Sequence, residues 1–467
     1  MPDPTPATED LATFLRRQDA DALVGLLLEL AESHEPVRER LARLQLSEQP
    51  DALAAEFRRT LTGWRRSRRF HGYRESRERG HMFEGWLDEV ARELLPRDPR
   101  AALALFEAFI EADTSWFDHS DDSDGAIGQA VRAACRYWLT AAARCDPPPG
   151  GWARRLIRLR EADQYGARDE LLGSADLLFD EPALRSLVAH YDAQMSKVLA
   201  SAAPGASLPI EVYGVSAALT LLSEALRDPD VRVRAVLRYS PEPNPLQRES
   251  FAQAYLEADR PADALPWLQG AWGHQEDRRL SLMVEALDRL GRRDESARIC
   301  RQLFERTLAA FHFRQWLERL PESERAAARA DARQRALDHA DPAVAAALLL
   351  ELGDADSAEA RLIAAHERFE GASYAGLTPL VEALRAQGCL RGETVVLRAL
   401  LVDILDRAQT RAYGHAARYW SRLGEIASAG ADLSPLPAHA EFEAGIRSRH
   451  GRKVSFWGRV QGTRDAT

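Results

Sequence analysis

Residues 247–424 carry an internal repeat, and it constrains the fold more than any other feature of the chain. Turn residues at Asp259, Gly291, Gly353 and Gly388 separate short apolar stripes of helical spacing, at intervals of 32, 62 and 35 residues. The longest interval is close to two units of a period in the low thirties, which is the tetratricopeptide signature. A weaker turn at Leu320-Pro321 fills it, and Gly424 falls one further unit on. Three units fit a small-and-large pattern. In the first, Ala252 and Ala264 let two helices approach, while Tyr255, Leu265 and Leu268 fill the space between them. Leu287, Ser296, Cys300 and Leu303 correspond in the second, and Ala346, Leu349, Ala358 and Leu362 in the third. One hairpin of this kind cannot bury its apolar face alone. Stacking is required, so the expected fold is all-α: an α-solenoid of tetratricopeptide-like helical hairpins with an N-terminal helical domain.

Helical periodicity also dominates the rest of the chain, and alternating strand patterns are nearly absent. "LATFLRRQDADALVGLLLELAESHEPVRERLARLQ" reads as two helices, and the stretch from Met82 to Ala112 as a hairpin broken between Pro96 and Pro99. Pro/Gly clusters at Cys145–Gly151, Ser201–Pro209 and Tyr239–Gln247 end helices, because Pro lacks a donor N–H and restricts its predecessor. They suggest an N-terminal helical domain over 1–145, a middle helical segment over 150–240, repeats over 247–445 and a basic C-terminal tail over 446–467.

Composition narrows the function classes. With 467 residues, 45% of them apolar and 29% charged, the chain is folded and too long for one ordinary core. The net charge of −10 disfavours nucleic-acid binding by the whole surface and leaves room for a local basic patch. Lys197 and Lys453 are the two lysines. Arginine supplies the remaining positive charge, as in a high-GC coding bias, so single arginines carry less functional weight. The four cysteines form no C-x-x-C pair, and Cys135, Cys300 and Cys389 sit in apolar helical patterns expected to bury them. The start, "MPDPTPATEDLATF", has neither the basic nor the apolar region of a leader, and the run Leu23–Leu28 is too short to span a bilayer. A cytoplasmic protein with no membrane span is expected.

Three segments hold candidate site residues. "FDHSDDSDGAIG" places Asp118, Asp121, Asp122 and Asp124 before a helix whose apolar stripe is Ile127, Val131, Cys135 and Trp138. A calcium loop aligned on Gly125 would use Ser120, Asp122 and Asp124, but its twelfth position is Val131, which cannot supply the bidentate carboxylate. Helix capping by Ser123 or Asp124, a divalent cation held in another geometry, and contact with a basic segment are the three readings. Upstream, nine arginines and two glutamates lie between Arg58 and Arg79, interleaved with Trp64, Phe70 and Tyr73. Here Arg65, Arg66, Arg68, Arg69, Tyr73 and Arg74 are phosphate or partner candidates, since arginine forks grip phosphate and aromatics stack bases. A solvated face and internal pairing with the aspartate loop are the alternatives. The basic run Arg447–Arg459, with Arg452 and Lys453 as candidates and Phe456-Trp457 inside it, reads as a cap on the last repeat or as a partner-binding tail.

Several of these motifs occur in a fixed order that resembles a known family. They are "RFHGYRESRERGHMFEGWLDEV" with "DDSDGAIG", then "EADQYGARDELL", "YGVSAALTLLSEALRDPDV", "AYGHAARYWSRL" and "FEAGIRSRHGRK". From about Leu11 to Lys453 the chain resembles a bacterial helical family of unknown function, related to the region that follows SWIM-type zinc fingers. The resemblance implies a tetratricopeptide-like helical protein. It does not carry zinc binding over, because the chain has no C-x-C and no C-x-H.

No G-x-S-x-G, phosphate-binding G-x-x-x-x-G-K-[ST] or H-E-x-x-H motif occurs. The expectation is a non-enzymatic protein without a cofactor that binds a protein or peptide partner in a solenoid groove. A nucleic-acid-associated protein is the alternative, and a metal-dependent enzyme centred on the aspartate loop stands last.

Overall fold

The computed structural model describes residues 10–46, 48–201 and 207–464 of the chain. The acidic start read as free of a leader lies largely outside the described residues, as does the centre of the break expected at Ser201–Pro209. Among the described residues the protein is all-helical and has no strand. An isolated parallel bridge joins His71 and Ser120. No described helix is long and apolar enough to cross a membrane. The chain divides into two compact units, Met1–Pro243 and Asn244–Thr467, and the division falls inside the Pro-rich Tyr239–Gln247 segment.

In the first unit, helix Ala126–Ala142 packs against both Tyr73–Glu89 and Pro99–Ile110. Its stripe of Ile127, Val131, Cys135 and Trp138 is fully buried, as helical spacing requires. Trp138 donates its indole N–H to Glu107 (2.9 Å), which also accepts from Arg155 and Arg158 (both 3.1 Å). The hairpin expected to break near Pro96 does so: a short π-helical turn, Val90–Leu94, ends the first arm, and Asp98 caps the second by accepting from Ala101 N (2.9 Å).

The start of the chain differs from its reading as two helices. Three are present, Leu11–Arg16, Ala20–Ser33 and Glu35–Leu46. Asp19 accepts from the amides of Asp21 and Ala22 and so restarts the chain as a new helix. None of the three helices buries a residue, and Leu11, Phe14, Val24 and Leu26 to Leu28 are exposed.

In the second unit, consecutive helices pack as hairpins, including Glu276–Arg289 on Arg293–Thr307, Pro342–Glu351 on Ala355–Ala365, and Tyr374–Ala386 on Leu390–Asp406. The turn residues Asp259, Gly291, Gly353 and Gly388 all adopt positive φ, between 54° and 78°, the left-handed conformation that ends a helix. The small and large positions read from the sequence are buried, apart from Leu265, which is half-buried. Leu265 falls where Pro266 converts the second helix of the first hairpin into a 3-10 turn. Gly424 is not a turn. It lies inside helix Tyr413–Ser428, between the buried Leu423 and Ile426. The basic C-terminal segment continues as helices His439–His450 and Val454–Arg464. Phe456 is fully buried against Tyr413 and Trp420, and Trp457 packs on Trp420 at 5.1 Å.

Candidate functional site

The aspartate loop opens helix Ala126–Ala142. Asp122 accepts from Ile127 N (2.7 Å) and Gly128 N (3.0 Å), so one carboxylate satisfies two of the helix's orphan amides. A cap of this kind contributes about 1 kcal/mol. The capping carboxylate is therefore upstream of the expected Ser123 or Asp124, because Gly125 takes a left-handed turn (φ 77°) between it and the helix. Asp124 reaches Ala126 N (3.3 Å), and Asp121 accepts from the amide and hydroxyl of Ser123. Asp118 accepts from the Tyr165 hydroxyl (2.5 Å), a bond that raises the phenol's pKa, and Phe117 stacks on that ring at 4.6 Å. The four carboxylates thus face backbone and hydroxyl donors. Among the described residues no group of three or more His, Cys, Asp or Glu side chains is arranged to hold a metal ion.

The arginine stretch does meet this loop, through main-chain hydrogen bonds. His71 N donates to His119 O (2.9 Å), and Asp121 N donates to His71 O (2.9 Å). Among the described residues, no arginine of the stretch forms an ion pair with Asp118, Asp121, Asp122 or Asp124. Arg69 pairs with Glu75 at 2.5 Å, and Arg74 with Glu78 at 3.6 Å. Arg65, Arg66 and Arg68 are exposed and have no ion pair among the described residues. Phe70 (61%) and Tyr73 (54%) are exposed beside them. Trp64 belongs instead to the core, packed on Phe83 and Trp86 at 5.0 and 5.5 Å. Arg452 and Lys453 lie far along the sequence in the second unit, at the turn between its last two helices, and have no ion pair among the described residues.

A groove of about 770 Å³ lies within the second unit. Four segments form it: residues 366–372, one face of helix Leu390–Asp406, the Leu436-Pro437 turn and helix His439–His450. Gly371 makes the first segment fit, since a β-carbon there would run into the Ala399 carbonyl. Phe369, Val395, Val402 and Phe442 give the groove apolar walls. The Arg398 guanidinium lies over the Phe442 ring (4.7 Å) and donates to Pro437 O (3.0 Å). Its Nε and Nη2 are buried without a hydrogen-bond partner. Burial pushes its pKa down, against the pull of Glu441.

Charge on the rim is uneven. Asp403 is paired with Arg407 at 2.9 Å. Glu367, Glu370 and Glu441 are exposed carboxylates without an ion pair among the described residues, and Arg398 and Arg449 are the lining cations likewise without one. None of these residues stands out in the sequence, because the segments that bring them together are separated by whole helices.

Comparison with curated proteins and with solved structures finds no match. The sequence model of one family matches residues 12–212 and 237–459, reaching into both units. The resemblance to a family of unknown function is thereby borne out. The chain belongs to that family, described as a family of unknown function (DUF6880).

Proposed function

We propose that the protein is a non-enzymatic, tetratricopeptide-like helical-repeat protein that binds a protein partner in the 366–449 groove. The occupant is an extended segment offering basic side chains to Glu367, Glu370 and Glu441 and apolar ones to Phe369, Val402 and Phe442. The observation that carries this reading is the set of three unpaired carboxylates around an apolar-walled groove on stacked helices. Clefts of this size with a few polar groups around apolar walls are typical binding sites, and stacked helical hairpins commonly clasp peptide segments. The uncovered apolar residues of helix Ala20–Ser33 support a protein partner as well, since such patches mark interaction surfaces. The test is peptide selection on the full-length chain, followed by titration against the triple variant Glu367→Lys, Glu370→Lys, Glu441→Lys. Three attractions of a few tenths to 1 kcal/mol become repulsions, so a loss of about tenfold or more is expected. Unchanged binding would remove the groove from the account.

A second reading rests on Arg65, Arg66 and Arg68, which no internal acid neutralises, next to the exposed Phe70 and Tyr73. Such a patch suits single-stranded nucleic acid, with phosphates on the arginines and bases on the rings. Fluorescence anisotropy with a labelled oligonucleotide is expected to show binding that weakens steeply with salt and is lost in Arg65→Glu, Arg66→Glu, Arg68→Glu. No binding at low salt sinks this reading.

A further inference from the structure

Arg79 is a buried and uncompensated charge in the first unit. It is 7% exposed, on the buried side of helix Tyr73–Glu89. Its guanidinium lies over the rings of Phe83 (5.1 Å) and Trp116 (5.6 Å). Its Nη1 is sealed from solvent without a partner, and the side chain makes no hydrogen bond or ion pair among the described residues. The next residue explains why the helix cannot shift to relieve this. A β-carbon at Gly80 would come within 2.7 Å of Ala126, so the two helices are locked at close approach.

An arginine does not shed its proton in a protein. Burial pushes the pKa of Arg79 down, and no carboxylate pulls it back up. Buried charges are ordinarily paired, because desolvation costs several kcal/mol per ion. The two aromatic faces offset part of that. Nη1 itself stays unfilled.

Arg79 lines a cavity of about 380 Å³ together with Trp64, Ser67, Arg69, His71 and Met82. Glu75 and Glu78 also reach it, but each already faces an arginine, Arg69 and Arg74 respectively. The lining thus carries two arginines and two glutamates, and of these four Arg79 is the one with no ion pair among the described residues. Burial, together with Arg79 and Arg69, holds the His71 imidazole below its usual pKa, and Glu75 opposes them. The imidazole is therefore neutral near pH 7 and available as a hydrogen-bonding group.

We infer that this cavity is a binding site for a small organic oxyanion, whose carboxylate or phosphate group pairs with the Arg79 guanidinium. Planar guanidinium matches both groups bidentately. The Ser67 hydroxyl and the His71 imidazole supply further hydrogen bonds, and Trp64 and Met82 receive the apolar body of the molecule. The volume is that of a small-molecule site. This site lies in the first unit and stands independently of the groove in the second.

The experiment is thermal unfolding and calorimetry of the full-length chain at constant ionic strength. Chloride is replaced in turn by inorganic phosphate, phenyl phosphate, acetate and benzoate. At least one of the four is expected to raise the unfolding temperature above that in chloride, by mass action on the folded state. A rise with the phosphates alone assigns a phosphate ligand, a rise with the carboxylates alone a carboxylate, and the aromatic member of either pair is expected to bind more tightly. Arg79→Met is expected to abolish the rise and to unfold at a higher temperature than the parent in chloride. Arg79→Lys keeps the charge but loses the fork, and is expected to bind about tenfold more weakly. The inference is overturned if no anion stabilises the parent beyond chloride, or if the stabilisation persists undiminished in Arg79→Met or Arg79→Lys.

Discussion

Arg168→Met is expected to destabilise the first unit by about 3–5 kcal/mol, the usual result of removing one partner from a buried ion pair. Arg168 and Asp113 are both almost wholly buried. Arg168 donates Nε to Asp113 Oδ2 and Nη2 to Oδ1, both at 2.7 Å, and Nη1 to Leu159 O at 2.8 Å. Burial opposes the charge on Arg168, but the hydrogen bonds and field of Asp113 outweigh it and hold the guanidinium above its usual pKa. The loop around Arg168 is organised by a second aspartate. Asp163 accepts from the four consecutive amides of Tyr165, Gly166, Ala167 and Arg168. Removing Arg168 leaves the buried Asp113 carboxylate without its countercharge, bonded to the Thr114 amide (2.6 Å) and hydroxyl (3.4 Å). For a unit of this size the loss corresponds to about 6–20 °C in unfolding temperature. Adding Asp113→Leu to Arg168→Met is expected to restore most of it, because the penalty is the orphaned charge more than the missing attraction. Urea unfolding of the full chain checks both variants, and a single-variant loss below about 1 kcal/mol would mean that the pair is not closed in solution.

Glu393→Ala is expected to cost about 3 kcal/mol in the second unit, at the lower end of the same range because its arginine partners reach water. Glu393 is fully buried on helix Leu390–Asp406 and accepts from Arg422 (2.9 and 3.0 Å) and Arg385 (2.9 Å). That helix also carries Val395, Arg398, Val402 and Asp403 of the groove, so the variant is expected to weaken peptide binding along with stability. Glu359 supports the same helix by accepting from Arg391 N (2.9 Å) and Gly392 N (3.1 Å) at its start. Burial pushes the Glu393 carboxyl up, but the bonds from Arg422 and Arg385 outweigh burial and leave it below its usual value. A carboxyl whose folded pKa lies below its unfolded pKa contributes stability above the unfolded value, near pH 4.3, and loses it as pH falls through the folded value. The gap between the parent and Glu393→Gln is therefore expected to be full at neutral pH and to close below about pH 4. A gap independent of pH in denaturant titrations would contradict the ionised pair.

Local features were readable in the sequence. The stripe Ile127, Val131, Cys135 and Trp138 is core because helical spacing leaves it no other place. Asp259, Gly291, Gly353 and Gly388 are turns because only residues tolerant of positive φ end helices this way. Gly424 misled for the converse reason. Helical glycine costs about 1 kcal/mol, and the burial of Leu423 and Ile426 on the same helix offsets it. Asp19 was a cap hidden within a continuous apolar pattern. What the sequence did not disclose is long-range pairing. Arg168 lies 55 residues from Asp113, and Arg422 lies 29 from Glu393. In a chain where nearly every cation is arginine, neither the paired guanidiniums nor the unpaired Arg79 can be told apart by residue type. The groove escaped for the same reason, because four segments converge only after folding. The aspartate loop changed its meaning most. It does clasp the arginine stretch, but through main-chain bonds of His71 with His119 and Asp121, which leaves Arg65, Arg66 and Arg68 facing solvent.

The most direct test of the central claim is hydrogen exchange on the full-length chain with and without a basic, apolar peptide selected on it. Protection is expected in residues 366–372 and 436–449, the segments that wall the groove, and is expected to disappear in the Glu367→Lys, Glu370→Lys, Glu441→Lys variant. Protection confined to residues 11–46, or unchanged in that variant, would contradict the account and move the partner site to another surface.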